Sequence, residues 1–303
     1  MKAWLHAFRL RTLPLAVSSI IVGSALAWMV QGHSAVPRPH VWITCLALLT
    51  AVLLQVLSNL ANDLGDHQHG TDGAGRIGPM RAVQSGTISE VAMQRAMIWC
   101  GVLALISGCA LILLALGPGM WALVFLGVGV TAILAAVKYT FGSRPYGYAG
   151  WGDLSVFLFF GIAGVCGTYY LHVLRSPLTV WSPAVAFGLL STAVLNLNNM
   201  RDVVNDAANG KVTLVVRMGR PLARIYHLVL VVGGLILLVH HTATNDLSVH
   251  KWLYLLVVPM YVWHLLKVLR HTDPKTLDPQ LGMLAMSTFL TAMLFSLGIF
   301  AAA

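Results

Sequence analysis

Residues 41–72 read VWITCLALLTAVLLQVLSNLANDLGDHQHGTD, a continuous apolar stretch that runs into an acidic end. The apolar part is long enough to cross the hydrocarbon core as one helix, which needs about 20 residues. The end carries Asp63, Asp66 and Asp72. Carboxylates at membrane depth are costly and mark functional sites by default. This stretch therefore predicts a transmembrane helix that ends in a functional cluster.

The same order of apolar run and acidic end recurs at residues 181–206. This run closes with NLNNMRDVVND, which contains Asp202 and Asp206. The chain has only ten Asp and Glu residues in 303, and half of them lie in these two clusters. Asp and Asn also favour helix caps, so a solvated helix end would explain either cluster alone. Two such clusters in so acid-poor a chain favour a functional site.

Composition sets the class of protein. The chain is 58% hydrophobic and 10% charged, with a mean hydropathy of +0.79, whereas a soluble domain carries about 25% charged residues. The apolar runs are continuous rather than alternating, which excludes a membrane β-barrel. The sequence predicts an all-α polytopic membrane protein, with one transmembrane domain over residues 1–303. The nine predicted spans are approximately 13–31, 41–62, 91–116, 120–138, 154–174, 181–201, 222–241, 251–269 and 281–302.

The basic residues predict the orientation. With nine spans, sixteen of the 19 Lys and Arg residues fall on the side of the N-terminus, and only Arg38, Arg175 and Lys251 fall on the other. The positive-inside rule then places the N-terminus in the cytoplasm and the C-terminus outside a bacterial inner membrane. The net charge of +9 is explained by this asymmetry, so no nucleic-acid partner is expected.

Four crossings separate the two acidic clusters, so both are expected on the cytoplasmic side. Their similar sequences, NLANDLGD and NLNNMRDVVND, indicate a parallel internal repeat with one acidic motif in each half. Repeats of this kind often hold the site at their interface. The sequence thus predicts two pseudo-repeated acidic motifs that face each other in a cytoplasmic-side active site.

The clusters have the composition of a Mg²⁺–diphosphate site. Asn and Asp recur in them at spacings of three and four residues, which places them on one face of a persisting helix. Mg²⁺ takes one or two carboxylates together with substrate phosphate oxygens, so two facing Asp pairs could hold two ions on a diphosphate. The residues are Asn59, Asn62, Asp63 and Asp66 in the first cluster and Asn198, Asp202 and Asp206 in the second.

Basic residues follow each cluster closely. Arg76 and Arg81 lie in the Gly-rich segment after the first cluster, and Lys211 follows the second. Arg makes bidentate phosphate contacts and Lys acts as a point charge, so these three are candidate diphosphate ligands. Three further arginines are better explained by membrane topology. These are Arg217, Arg220 and Arg224.

The segment KYTFGSRPYGYAGWGD at residues 138–153 is aromatic. Aromatic faces can stabilise a developing cation, but Tyr and Trp also line membrane interfaces. The interface is the better explanation for Tyr146, Tyr148 and Trp151. Tyr139 and Asp153 are weaker site candidates.

These motifs resemble those of the UbiA superfamily of intramembrane prenyltransferases, most closely its menaquinone-pathway branch. The likeness covers most of the chain, with two departures. Asp72 comes two residues after the superfamily position, which Gly70 occupies here, and Asp153 stands where Glu is expected. The matching motifs are RLRTLP at 9–14, NDLGD at 62–66, GTD at 70–72, RIGP at 76–79, RAVQSG at 81–86, YT at 139–140, NNMRDVVND at 198–206 and GKVTL at 210–214.

The resemblance implies transfer of a polyprenyl group from an allylic polyprenyl diphosphate to 1,4-dihydroxy-2-naphthoate, giving demethylmenaquinone, diphosphate and CO₂. It implies Mg²⁺ as cofactor, held by Asp63, Asp66, Asp202 and Asp206. Alternative acceptors are 4-hydroxybenzoate and homogentisate. A CDP-alcohol phosphatidyltransferase is an alternative enzyme, and a cation-coupled transporter is the alternative from a different class. The expected substrate-binding residues are Asn59, Asn62, Asp72, Arg76, Arg81, Tyr139, Asn198, Arg201 and Lys211.

Overall fold

The computed structural model describes residues 2–31, 40–72, 77–245 and 248–302, and its regular elements there are all helical. Nine helices within these ranges are long and apolar enough to cross a membrane, which confirms the predicted number. Helix α5 is π-helical from Phe157 to Gly167, and α8 begins as a 3₁₀ helix. The helices are α1 (Leu13–Gln31), α2 (His40–Gln68), α3 (Glu90–Leu116), α4 (Met120–Lys138), α5 (Gly152–Val173), α6 (Trp181–Ala208), α7 (Leu214–Asn245), α8 (Val249–Arg270) and α9 (Asp278–Ala302).

The two helices that carry the acidic clusters continue past their predicted C-terminal ends. Helix α2 continues to Gln68 and α6 continues to Ala208, whereas hydropathy placed their ends near residues 62 and 201. Asn and Asp lower the local hydropathy without breaking the helix, so the apolar pattern stops before the helix does. The side chains of both clusters therefore project from helical turns, as the three- and four-residue spacings predicted.

The acidic end of α2 is closed by a glycine turn. Gly70 has φ of 74°, a left-handed conformation that glycine adopts without a Cβ penalty. Its neighbour Thr71 donates its backbone N–H to the Asp66 carbonyl, with an N···O distance of 2.9 Å. This bond satisfies a carbonyl that the helix end would otherwise leave without a partner.

The acidic end of α6 has the same turn. Gly210, four residues after Asp206, has φ of 70°. The Lys211 N–H then donates to the Asp206 carbonyl at 2.8 Å. The chain therefore leaves both acidic helices by the same path, which is consistent with the predicted repeat.

The helices α1, α6 and α9 are the most buried, and the outer helices expose apolar faces. Small residues permit close approach: a Cβ at Gly161 of α5 would lie 2.6 Å from the Ala184 carbonyl of α6. Close contacts of this kind are characteristic of helix packing in lipid. On the outside, Trp99 is 67% exposed and Leu123 is 64% exposed, as lipid-facing side chains should be.

The two acidic helix ends meet at one end of the bundle. Asn205 of α6 donates its side-chain N–H to the Thr71 carbonyl beyond α2, at 2.7 Å. The segment that follows α4 folds over the same region, where Thr140 donates its hydroxyl to the Asn62 side chain at 2.8 Å. This arrangement brings both clusters and the aromatic loop into one site.

Candidate active site

One lysine joins the two acidic clusters. Lys211 Nζ lies 3.6 Å from an Asp66 carboxylate oxygen and 3.8 Å from an Asp206 carboxylate oxygen. Both aspartates are only 2% exposed, and Lys211 is 6% exposed. We call the buried group formed by Asp66, Asp72, Arg81, Asp206 and Lys211 the acidic centre.

Arg81 enters the acidic centre from the loop between α2 and α3. Its guanidinium lies 2.7 Å from Asp66 and 3.3 Å from Asp72, and it also donates to the Asn62 carbonyl. Burial disfavours the charged guanidinium, but the carboxylates around it outweigh this effect and raise the pKa of Arg81 above its usual value. Arg81 is therefore a fixed positive charge, as a diphosphate ligand requires.

Tyr148 also belongs to this site, although the sequence assigned it to an interfacial belt. Its hydroxyl donates to Asp66 at 2.8 Å and lies 2.5 Å from the Thr71 hydroxyl. Lys211 Nζ is 5.4 Å from the centre of its ring. Burial and the charge of Asp66 raise the pKa of Tyr148 above its usual range, so the phenol keeps its proton. The sequence expectation for Tyr148 was wrong because the loop at 139–151 folds back onto α2.

Asp63 holds the loop that presents Arg81. Its two carboxylate oxygens accept the backbone N–H groups of Ala82 and Val83, each at 3.2 Å. Asp63 is 2% exposed. The structure thus gives it a positioning contact, and its predicted role as a Mg²⁺ ligand would have to use its remaining lone pairs.

Arg201 and Asp202 form a separate buried group beside the acidic centre. Arg201 donates to both oxygens of Asp202, at 2.8 and 2.6 Å, and to Asp278 of α9 at 2.6 Å. Asn198 accepts a further bond from the same guanidinium at 2.9 Å. The Arg201 side chain is 1% exposed. These contacts fasten α6 to α9, and substrate binding by Asn198 and Arg201 stays a prediction.

Asn59 lies away from the acidic centre. Its amide donates to the Phe8 carbonyl at 2.9 Å and to the Thr12 hydroxyl at 3.0 Å. These bonds attach α2 to the segment that leads into α1. The substrate contact expected of Asn59 therefore stays a prediction, and its observed contacts are structural.

Tyr139 stands between the acidic centre and Asp153. A Cβ at Gly152 would lie 3.0 Å from its hydroxyl, and its ring packs edge-on against Tyr146 at 5.5 Å. Burial, followed by the charge of Asp153, raises the pKa of Tyr139 well above its usual value. Arg76, the remaining predicted contact, lies outside the described residues.

Two side chains in the site have no counterpart among the sequence predictions. Asp278 completes the Arg201 group, and Tyr226 donates its hydroxyl to Asp153 at 3.3 Å. No local spacing could indicate either contact, because the partners are far apart in the chain. The sequence offered one indication: because acidic residues are scarce in this chain, Asp278 and Asp153 are each candidates for a functional role.

The acidic centre fits a cation and a phosphate. Within the described ranges, no group of three His, Cys, Asp or Glu side chains has the geometry of a preformed metal site. However, Asp66 and Asp206 converge on the cationic Lys211, and one buried oxygen of Asp206 has no hydrogen-bond partner in the described structure. Carboxylate oxygens are the ligands that Mg²⁺ prefers. Asp66 and Asp206 could therefore bind Mg²⁺ in place of the Lys211 ammonium group.

Comparison with known proteins identifies the family. The model of the UbiA prenyltransferase family matches residues 16–290. The chain is 47% identical to a 1,4-dihydroxy-2-naphthoate octaprenyltransferase of Escherichia coli (strain K12), over 99% of this chain and 95% of that protein. It is 42% identical to the protein of the same name from Haemophilus influenzae, over 99% and 96% of the two chains.

Solved structures have the same fold. A UbiA homologue from Archaeoglobus fulgidus, bound to DMAPP and Mg²⁺, aligns over 95% of this chain and 98% of its own, with a TM-score of 0.55 and 17% identity. A digeranylgeranylglyceryl phosphate synthase aligns over 99% and 98%, with a TM-score of 0.58 and 14% identity. The family model and the two bacterial relatives extend over nearly the whole sequence. The chain therefore belongs to the UbiA prenyltransferase family.

Proposed function

We propose that this protein transfers a polyprenyl group from an allylic polyprenyl diphosphate to 1,4-dihydroxy-2-naphthoate. The observation that carries the proposal is the 47% identity, over almost the full length of both chains, to an enzyme named for this acceptor. Family membership supports a prenyl transfer, and it disfavours the transporter and phosphatidyltransferase alternatives.

Charge stabilisation in the acidic centre accounts for how the donor reacts. The diphosphate gains negative charge as the allylic C–O bond breaks, so cations placed beside it lower the barrier. Arg81 and Lys211 supply two cations whose side chains are only 11% and 8% exposed. Tyr148 holds Asp66 in place through its hydroxyl. Together these residues bind the leaving group more strongly as it forms.

Asp66 and Asp206 are the residues best placed to hold Mg²⁺, with Asp63 and Asp202 as the further predicted ligands. When bound, Mg²⁺ would supply additional positive charge to the diphosphate. The partnerless oxygen of Asp206 and the shared contact of both carboxylates with Lys211 support this assignment. Asp72 is held by Arg81 and is assigned the role of fixing that guanidinium.

The acceptor completes the reaction. The carboxylated carbon of the electron-rich naphthalene ring attacks the allylic carbon of the donor. The carboxyl group then leaves that ring carbon as CO₂. The products are diphosphate and a prenylated dihydroxynaphthalene, which is the reduced form of demethylmenaquinone. The apolar helices provide surroundings for the prenyl tail, while the diphosphate is held at the polar end of the bundle.

The function is tested with purified protein, farnesyl diphosphate, Mg²⁺ and either 1,4-dihydroxy-2-naphthoate or 4-hydroxybenzoate. We expect a prenylated dihydroxynaphthalene, which dissolved oxygen in the assay then oxidises to the naphthoquinone, and CO₂ only from the naphthoate. A chelator should abolish both products. The Asp66→Asn and Asp206→Asn variants should each lose most of the activity. Product from 4-hydroxybenzoate alone would instead assign the enzyme to another acceptor.

The protein is also proposed to lie in a bacterial inner membrane, with its N-terminus and acidic centre on the cytoplasmic side. The distribution of Lys and Arg supports this orientation. It is tested by single cysteines in a variant whose four native cysteines are replaced. An impermeant thiol reagent applied to intact cells should label Thr244→Cys and leave Thr87→Cys unlabelled. The reverse pattern would invert the proposed topology.

A further inference from the structure

A cavity of about 420 Å³ lies between α5, α6 and α7 beside the acidic centre. We call it the lateral groove and define it by Asp153, Leu189, Thr192, Arg217 and Tyr226. Its volume falls within the range of about 300–1,000 Å³ that is usual for small-molecule sites. The steps assigned to the acidic centre do not use these side chains.

The floor of the groove is polar and buried. Asp153 is 7% exposed, and its carboxylate accepts the Tyr226 hydroxyl at 3.3 Å. In the described part of the chain, no basic side chain is ion-paired with Asp153. A buried carboxyl with so few partners is costly in an apolar wall, so it marks a place for a ligand that donates a hydrogen bond.

The rim of the groove carries the opposite charge. Arg217 is exposed and donates one hydrogen bond to the Ala149 carbonyl at 2.8 Å. A guanidinium has five N–H donors, so others remain for a carboxylate at the rim. Between rim and floor, the walls are apolar and include Phe157, Leu189 and Leu230.

One loop segment separates the groove from the acidic centre. Tyr148 donates its hydroxyl to Asp66 on one side, and its neighbour Ala149 accepts the Arg217 bond on the other. The Tyr148 carbonyl also accepts the Val212 N–H at 3.0 Å, next to Lys211 in the chain. A molecule in the groove is therefore adjacent to the residues that hold the donor.

We propose that the lateral groove binds the aromatic acceptor, with a ring hydroxyl on Asp153 and Tyr226 and the carboxylate on Arg217. This assignment rests on the proposed function. A hydroxylated aromatic acid satisfies the polar floor, the apolar walls and the basic rim together. A phospholipid would satisfy the rim through its phosphate, but its acyl chains would cover the Asp153 carboxyl with hydrocarbon.

Steady-state kinetics test the assignment. The variants are Arg217→Ala, Asp153→Asn and the groove-filling Leu189→Trp, with the exposed Arg220→Ala as the matched arginine control. We expect each groove variant to raise the KM for 1,4-dihydroxy-2-naphthoate at least tenfold and to leave the KM for farnesyl diphosphate within twofold. Unchanged acceptor KM values, or equal increases for both substrates, would overturn the proposal.

Binding without turnover tests the orientation. In lipid nanodiscs, Arg217→Ala should weaken binding of 1-hydroxy-2-naphthoate at least tenfold relative to wild type. Binding of 1-naphthol, which lacks the carboxylate, should be unaffected by the same substitution. Arg217→Ala removes an exposed side chain, so this comparison remains decisive even where Asp153→Asn fails to fold.

The outcomes separate this inference from the proposed function. Suppose that naphthoate binding depends on Arg217 but 1,4-dihydroxy-2-naphthoate is not prenylated. The proposed function would then be wrong, and the groove would remain an aromatic-acid site. Normal prenylation with unaltered acceptor KM in all groove variants would defeat the groove alone. If Arg217→Ala weakened the binding of phosphatidylglycerol and left naphthoate binding unchanged, the groove would be assigned to lipid and the proposal overturned.

Discussion

At the scale of single residues, the site works by neutralising buried carboxylates with fixed partners. Asp66 is contacted by Arg81, Lys211 and Tyr148, from three different segments of the chain. Such a carboxylate is tolerated at depth because each of its oxygens has a hydrogen-bond donor or a cation beside it. Removing one partner therefore leaves a buried carboxylate with an unsatisfied oxygen, and the rate of prenyl transfer should fall.

Tyr148→Phe should lower kcat/KM for prenyl transfer, because it deletes the hydroxyl that positions Asp66. A hydrogen bond to a charged group contributes about 1.5–3 kcal/mol, which corresponds to a loss of about tenfold or more. The control is Tyr170→Phe, whose ring stacks on Phe125 with centroids 5.5 Å apart. Equal rates for wild type and Tyr148→Phe would contradict the contact.

The pH dependence of the rate should not report ionisation of Tyr148. Burial and the charge of Asp66 raise its pKa, so the protonated phenol persists to higher pH than in a free tyrosine, whose pKa is about 10. Rate profiles of wild type and Tyr148→Phe between pH 6 and 10 should therefore have the same alkaline limb. A fall near pH 9 that disappears in the variant would count against the protonated phenol.

At the scale of elements, the sequence predicted which helices exist better than where they end. The length of each apolar segment can be read directly from the sequence, and the nine predicted spans were confirmed. The ends of α2 and α6 were placed too early, because buried Asn and Asp look like loop residues until their partners are known. Tyr148 was misassigned for the same reason: its partner Asp66 is 82 residues away.

The contact of α2 with the loop after α4 is a test of element packing. A Cβ at Gly65 would lie 2.5 Å from the carbonyl of Thr140, so Gly65→Ala must displace the loop that carries Tyr139 and Tyr148. We expect a loss of activity and a lower thermal midpoint in detergent, with a cost of about 1–3 kcal/mol.

Gly127→Ala in α4 is the matched control for this substitution. Nothing lies within 4 Å of the added Cβ, and alanine is favoured over glycine in a helix by about 1 kcal/mol. The control should therefore be neutral or slightly stabilised. An equally neutral Gly65→Ala variant would show that the loop does not pack on α2 as described.

At the scale of the whole molecule, Arg201 fastens the second acidic helix to the last helix of the bundle. It joins Asp202 of α6 to Asp278 of α9, with a side chain that is 1% exposed. Both anions would lose their common partner if the guanidinium were removed. Arg201 therefore links α6 to α9 at the polar end of the bundle.

Arg201→Met should destabilise the protein by about 3–5 kcal/mol, the usual cost of breaking a buried charge pair from one side. The measurement is thermal unfolding in detergent, with the exposed Arg220→Ala as control, which should change stability by no more than about 0.5 kcal/mol. Adding Asp202→Asn to Arg201→Met should recover part of the loss. A fully stable single variant would argue against the fastening role.

The matching glycine turns after Asp66 and Asp206 bear on how the two halves of the bundle are related. Counted along the chain, α2 is the second helix of a first group of four, and α6 is the second helix of the next four. Both end in the same turn. A parallel repeat of two four-helix groups would have this arrangement, with α9 outside the repeat. Two such groups, related by an axis along the membrane normal, would bring their acidic helix ends to one shared site.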